Sequence, residues 1–322
     1  MGVRGDGYRE NLVLPGPYPP RVVHHQGHHR VEVGMNALEQ VDAVLVSRWR
    51  LSRKTGGLSG RITWRMSFPL FLLSCALVLG FPGTLRAQGG PPYYTNDPQT
   101  PGDMSWEINL GYMPFLYSGQ STIHTPDLDV NFGLGKSIQL TFENAWLRVK
   151  AHQGPVEYGL GQDVLGVKWH FYQGETSGLG ISVFPQLAIN NPDDSVRRGI
   201  TPPGASLTVP VEFSKRLGPI HVNWELGYDF VHVGPDGWLL GLVVGHEMTN
   251  RLELDVELYG IGTFRPLTSQ DTVGAGARYK LHPLLILLLM AGRSLVSASN
   301  SQPYFVGYFG LQVLLPPKPF DE

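Results

Sequence analysis

Apolar and polar residues alternate one by one over most of the chain after residue 104, the period of an extended strand with two unlike faces. The cleanest run is LELDVEL at residues 252–258. Leu252, Leu254, Val256 and Leu258 share one face, and Glu253, Asp255 and Glu257 share the other. Residues 221–230 repeat the pattern, with Val222, Trp224, Leu226, Tyr228 and Phe230 against His221, Asn223, Glu225 and Asp229. Comparable runs fall at 105–113, 127–134, 137–147, 163–172, 179–189, 206–217, 238–248, 272–281, 284–293 and 303–313, bounded by Gly, Pro, Asn and Asp. The pattern predicts about twelve strands and no long helix.

The links between these runs alternate in length. Those at 135–136, 218–219, 249–251 and 282–283 are short, and those at 114–126, 148–162, 190–205 and 259–271 are long. The links at 173–178, 231–237 and 294–302 lie between the two classes. Tight turns at one end and longer loops at the other, with an even strand number, predict an all-β fold: a transmembrane antiparallel up-and-down β-barrel over residues 104–315. Both barrel termini then fall at the periplasmic end, and residues 316–322 form a tail. Closure is what lets such a chain sit in lipid, since every backbone N–H and C=O finds a partner and no edge is left. Trp106, Tyr112, Trp146, Trp169, Phe171, Trp238, Tyr279 and Phe309 lie near strand ends, where interfacial girdles are expected. The run LLILLLM at 284–290 is apolar on both faces, which predicts a strand whose inner face packs on something apolar.

Upstream, residues 66–88 place a short apolar core (68–81) between Arg61 and Arg65 and a small residue, Ala87. That order is a secretory signal, with cleavage expected near Ala87. The core is shorter than the roughly 18 or more apolar residues of a spanning helix. Residues 1–65 read as an upstream extension, compositionally unlike the rest and carrying His24, His25, His28 and His29. Residues 88–103 are a Pro- and Gly-rich leader with no period, expected as extended loop. From Gln88 onward there are 14 Lys and Arg against 22 Asp and Glu, a net charge of −8. Such a product argues against a nucleic-acid partner, which needs a basic footprint. The only cysteine, Cys75, lies within the signal, so the mature chain has no disulfide.

No nucleophile, phosphate-loop or metalloprotease motif occurs, and neither a cofactor nor a metal is expected in the barrel. If the apolar faces meet lipid, the lumen receives Glu143, Lys168, His170, Glu212, His221, Glu225, Asp229, Glu253, Asp255, Glu257 and Arg278. Seven of these eleven are acidic. Two readings stay open: a cation-favouring lumen that water reaches, or charges that pair across a narrow interior because a buried unpaired charge is costly.

With the strands placed, the chain resembles outer-membrane proteins of the MetA-pathway of phenol degradation family. The matching stretches include PPYYTNDPQTPG before the first strand, then WEINLGY, PDLDVNFGLGKSIQL, DVLGVKWHFY, VPVEFSKRLGPIHVNWELGYDF and GPDGWLLGLVVGHEMTNRLELDVELYG. The resemblance implies a β-barrel in the bacterial outer membrane and passage of small hydrophobic or aromatic compounds, with no catalytic residues to carry over. The expected partners are outer-membrane lipid, the barrel-assembly machinery and a small-molecule substrate. The alternatives are a closed barrel with a structural or surface-interaction role and, less supported, a barrel enzyme acting on lipid.

Overall fold

The computed structural model describes residues 90–317 except 176, 191 and 192, together with residues 13–14 and 21–22. The rest of the upstream extension, the expected signal with its expected cleavage point and residues 318–322 lie outside the described residues. Val13–Leu14 pairs antiparallel with Arg21–Val22. Everything else described belongs to one barrel and the leader inside it.

The barrel is built from fourteen β-segments. They are β1 (Trp106–Leu116), β2 (Gln120–Leu134), β3 (Ile138–Ala151), β4 (Val156–Leu160), β5 (Gln162–Gln173), β6 (Gly180–Val183) and β7 (Gln186–Asn190). After a one-turn helix, α1 (Asp194–Arg197), come β8 (Ser206–Leu217), β9 (Ile220–Val231), β10 (Gly237–Glu247), β11 (Leu252–Phe264), β12 (Leu267–His282), β13 (Leu285–Ser294) and β14 (Phe305–Leu315). β4 with β5, and β6 with β7, are single strands interrupted at Gly161 and at Phe184-Pro185, so the wall has twelve antiparallel strands. β14 pairs back onto β1, from Leu315 opposite Trp106 to Phe305 opposite Leu116, which closes the wall; among the described residues only the short β4 is paired with a strand on one side alone. The end holding Trp106 and Leu315 is called the terminal end below, and the opposite one the loop end.

The break at Pro185 has a local cause. Proline has no N–H for the ladder, and Phe184 turns inward over Gly166, where a Cβ would strike its ring. Hydrogen bonds from Val167 N to Pro185 O and from Phe184 N to Pro210 O, both 3.0 Å, hold the strand in line across the break.

The outer face is apolar. Leu140, Phe142, Leu165, Val167, Leu254, Val256 and Leu258 are exposed, while Asp255 and Glu257 on the alternate positions of β11 are buried. A band this wide on a water-facing surface would be an association site; on a closed barrel it is the lipid-facing belt. Aromatic clusters rim it: Trp106 with Phe132 and Trp169 with Phe171 toward the terminal end, Tyr228 with Phe230 and Phe264 toward the loop end. Among the described residues no helix is long and apolar enough to cross a membrane.

The links differ from the sequence expectation. The stretches 114–126 and 259–271 are mostly strand, not loop: β1 and β2 are joined by residues 117–119, and β11 and β12 by 265–266. β2 has 15 residues and β12 has 16. The reason is that backbone pairing continues through stretches such as YGIGTFRP at 259–266, whose glycines and proline interrupt the apolar alternation. A period read from side chains therefore stops early. At the terminal end the turns are tight, as at Gly218, whose φ of +63° suits the two-residue turn between β8 and β9.

One sector of the inner face is also apolar. Ile286, Leu288 and Met290 of β13 pack with Val306 and Tyr308 of β14, Met113 and Phe115 of β1, and Leu239 and Val243 of β10. The apolar surroundings expected for the inner face of 284–290 are thus supplied by the wall strands together with the leader, whose Tyr93 and Tyr94 belong to the same cluster.

Candidate functional site: the barrel interior

The leader, residues 90–103, folds into the lumen as a loop. It starts beside β12, where Arg278 donates to the carbonyls of Gly90 (2.9 Å) and Pro91 (2.8 Å) and lies over the Tyr93 ring. It rises to mid-barrel, where one oxygen of Glu257 accepts from Tyr94 N, Thr95 N (both 2.8 Å) and Thr95 Oγ1 (2.9 Å). Glu225 accepts from the Asn96 backbone. The loop then descends past β5, where Lys168 Nζ donates to Asp97 O at 2.5 Å. It leaves the terminal end beside Gly133, with Met104 N bonded to Gly133 O at 2.9 Å. The wall is cut to receive it. A Cβ on Gly241 would strike Thr95, one on Gly276 would strike the Tyr93 hydroxyl, and one on Gly133 would strike the Gly102 carbonyl. At these positions glycine lets the leader approach the wall closely, by side chain at 241 and 276 and by backbone at 133.

Four of the seven acidic groups, Glu212, Glu225, Asp229 and Glu257, have hydrogen-bonding partners. Lys168 sits 3.3 Å from Glu212, whose other contact is Ser182 Oγ at 2.5 Å, and Lys168 also lies over the Phe184 ring. Glu212 and Glu225 stand opposite each other on β8 and β9, an unfavourable pairing of like charges that Lys168 and the Asn96 amide offset. Asp229 accepts from Thr208 Oγ1 at 3.0 Å. Glu143 lines a cavity described below. His170 lies near the terminal end with Nε2 2.9 Å from Tyr172 O. His221, Glu253 and Asp255 form a separate group at the terminal end.

The structure brings in residues that strand periodicity does not single out. Asn109 and Asn131 both donate to Asp129 at 2.9 Å, and Gln139 and Thr141 extend that ladder across β1–β3. His124 Nδ1 lies 3.3 Å from Asp127, on β2. Between the leader and β2–β5 remains a cavity of about 80 Å³, lined by Tyr93, Tyr94, His124, Asp127, Asp129 and Glu143 among others. It pairs phenol rings with carboxylates. The signal that could have flagged its leader side is YYTN at 93–96, two aromatics in an otherwise Pro- and Gly-rich segment.

Toward the loop end a second segment closes the interior. The link between β7 and β8 carries α1 and Ile200, which is fully buried against Ala145, Leu147 and Val149 on the inner face of β3. Ser195 Oγ and Arg198 Nη1 donate to the carbonyls of Leu160 and Tyr158, both at 2.7 Å, so the open side of β4 is covered. Hydrogen bonds from Arg197, then Arg198, hold the exposed Asp194 carboxyl below its ordinary pKa.

A closed antiparallel barrel with an apolar belt, aromatic rims and a polar, segment-filled interior defines the outer-membrane β-barrel class. No family model and no curated protein matches the chain. Among solved structures it is similar to the COG4313 outer membrane channel from Pseudomonas putida F1, with a TM-score of 0.53 at 12% identity, covering 71% of this chain and 99% of that one. Weaker likenesses are to the NanC porin (TM-score 0.46, 7% identity, 66% of this chain and 99% of that one) and the KdgM porin (0.44, 10%, 64% and 98%). At these identities the likeness is one of fold.

Proposed function

We propose that this protein is a passive outer-membrane channel or uptake protein for small hydrophobic or aromatic compounds, with a conduit narrowed by its own leader. The observation that carries the reading is the interior itself. A segment of chain held through hydrogen bonds occupies the lumen beside the wall's own side chains, and an unfilled cavity remains next to that segment. Phenol rings, Met113 and Leu147 on the cavity wall suit an apolar or aromatic solute, and its carboxylates disfavour anions. The resemblance to the MetA-pathway of phenol degradation family points the same way. In this reading the terminal end faces the periplasm.

A closed barrel with a structural role is the second reading, favoured by how completely the leader is bonded to the wall. Single-channel recording of the purified folded protein under a KCl gradient separates the two. The channel reading expects measurable conductance favouring K+, and faster liposome entry of small neutral aromatics than of sugars of similar mass. A folded barrel with neither conductance nor aromatic flux leaves the closed barrel.

A further inference from the structure

His221 converges with Glu253 and Asp255, two neighbours on one face of a strand more than thirty residues further along the chain, just inside the terminal end. His221 of β9, Gly245 of β10 and Asp255 of β11 stand in one cross-strand row. Because the middle residue has no side chain, His221 reaches across it. Its Nε2 lies 3.0 Å from Asp255 Oδ1 and 3.5 Å from Glu253 Oε1. A Cβ on Gly245 would strike both the imidazole and the Asp255 carboxylate, so the gap between them exists only because that residue is glycine.

The group is deeply placed and poorly satisfied. The His221 and Asp255 side chains are each 1% exposed and that of Glu253 is 15% exposed. Neither ring nitrogen of His221 makes a hydrogen bond among the described residues, and Glu253 Oε1 makes none either. Buried polar atoms are ordinarily partnered. Here an imidazole and two carboxylates approach closely without aligning a proton between them, which is how ligands stand around a shared cation.

We propose that His221, Glu253 and Asp255 form a binding site for one divalent transition-metal ion of the Zn2+ type. The donor set of one imidazole and two carboxylates fits Zn2+ better than Ca2+ or Mg2+, which prefer oxygen alone. Tetrahedral ligands at roughly 2.0–2.1 Å from zinc stand about 3.4 Å apart, and the observed separations of 3.0 and 3.5 Å bracket that value. The three donor atoms all lie within 4.8 Å of one another. The surroundings suit a bound ion as well. The Tyr93 hydroxyl faces Asp255 across Gly276, the kind of outer contact that orients a ligating carboxylate. Arg278, opposite Glu253 on β12, is turned to the leader carbonyls. An ion here would tie β9 to β11 beneath the leader. The site rests on this geometry and not on the channel reading.

The test uses the full chain, purified and folded in detergent, with His24, His25, His28 and His29 changed to Ala so that the upstream histidines do not compete. Calorimetric titration with ZnCl2 should give one ion per chain, and CoCl2 should give visible d–d absorption bands. His221→Ala and Asp255→Asn should each weaken Zn2+ binding at least tenfold, while His282→Ala leaves it unchanged. Absence of stoichiometric Zn2+ binding by the folded barrel overturns the proposal, as does parental affinity in His221→Ala. Folding of each variant is read from heat-modifiable gel mobility. If the variants fail to fold, the parent decides: no Co2+ bands and no rise in its thermal midpoint with Zn2+ overturn the site.

Discussion

At the scale of single residues, facing and depth set the consequences. Leu258 lies midway along β11 on the outer face and is exposed to lipid. An arginine at the bilayer midplane costs roughly 2–4 kcal/mol, falling to about 0–1 near the interfaces. Leu258→Arg should therefore destabilise folding into liposomes by about 2–4 kcal/mol, and Phe264→Arg at the end of the same strand by about 1 at most. Denaturant titration followed by tryptophan fluorescence measures both; similar costs would contradict the assigned depth. A second residue-scale effect concerns pH. Asp194 has its folded pKa lowered, so its contribution is present above the ordinary aspartate pKa and is lost as pH falls through the lowered value. Protection against hydrogen exchange around Ser195, taken relative to the intrinsic rate at each pH, should thus stay high at neutral pH and give way to fast exchange only in strong acid. Asp194→Asn should show the fast exchange already at pH 7.

At the scale of elements, two segments that are not strands decide what the barrel encloses. The link between β7 and β8 is anchored through Ile200 on the inner face of β3. Removing a buried isoleucine side chain typically costs 2–5 kcal/mol where the site is fully packed. Ile200→Ala should release this link with little effect on the wall, whose ladders do not involve it. The expected outcome is a larger single-channel conductance together with new proteolytic cleavage near residue 198. Unchanged conductance with cleavage would mean that the link does not obstruct the path. The same anchoring shows why this element escaped the sequence: Ile200 lies among Gly, Thr and Pro in GITPPG, with no period around it.

At the scale of the whole molecule, the leader and the wall fit as one unit. Glu257 accepts three hydrogen bonds from residues 94 and 95. Truncating it leaves two buried backbone N–H groups without a partner, each worth about 1–3 kcal/mol. Glu257→Ala should therefore loosen the leader inside an intact barrel. The sole native cysteine is Cys75, so a cysteine introduced by Asn96→Cys reports the accessibility of the segment that holds Glu225 and Glu257. Its reaction with a water-soluble maleimide should be slow in the otherwise native chain and at least tenfold faster with Glu257→Ala added. Gly241→Leu, which would drive a side chain into Thr95, should have the same effect. Equal labelling rates in all three would show that the leader does not occupy the lumen.

The sequence by itself determined the wall. Period two with an unbroken apolar face, as in 252–258, leaves a strand one way to present leucines to lipid and carboxylates inward, and an even number of such strands can close. It also marked 284–290 as needing an apolar inner partner. It did not determine what lies inside. Strand periodicity records which face a residue occupies, but not which residue stands opposite it three strands away or which loop folds back. Tertiary structure alone decided that Tyr93 and Tyr94 join residues of β1, β10, β11 and β14 in the apolar cluster around β13. It likewise decided that Lys168 and Arg278 serve leader carbonyls, that glycines at 241 and 276 open space for Thr95 and Tyr93 of the leader, and that Gly245 opens space between His221 and Asp255. The physical reason is that those positions are set by closure of the barrel. Closure brings together groups with large separations along the chain, such as Arg278 and Gly90, and short-range patterns carry no record of it.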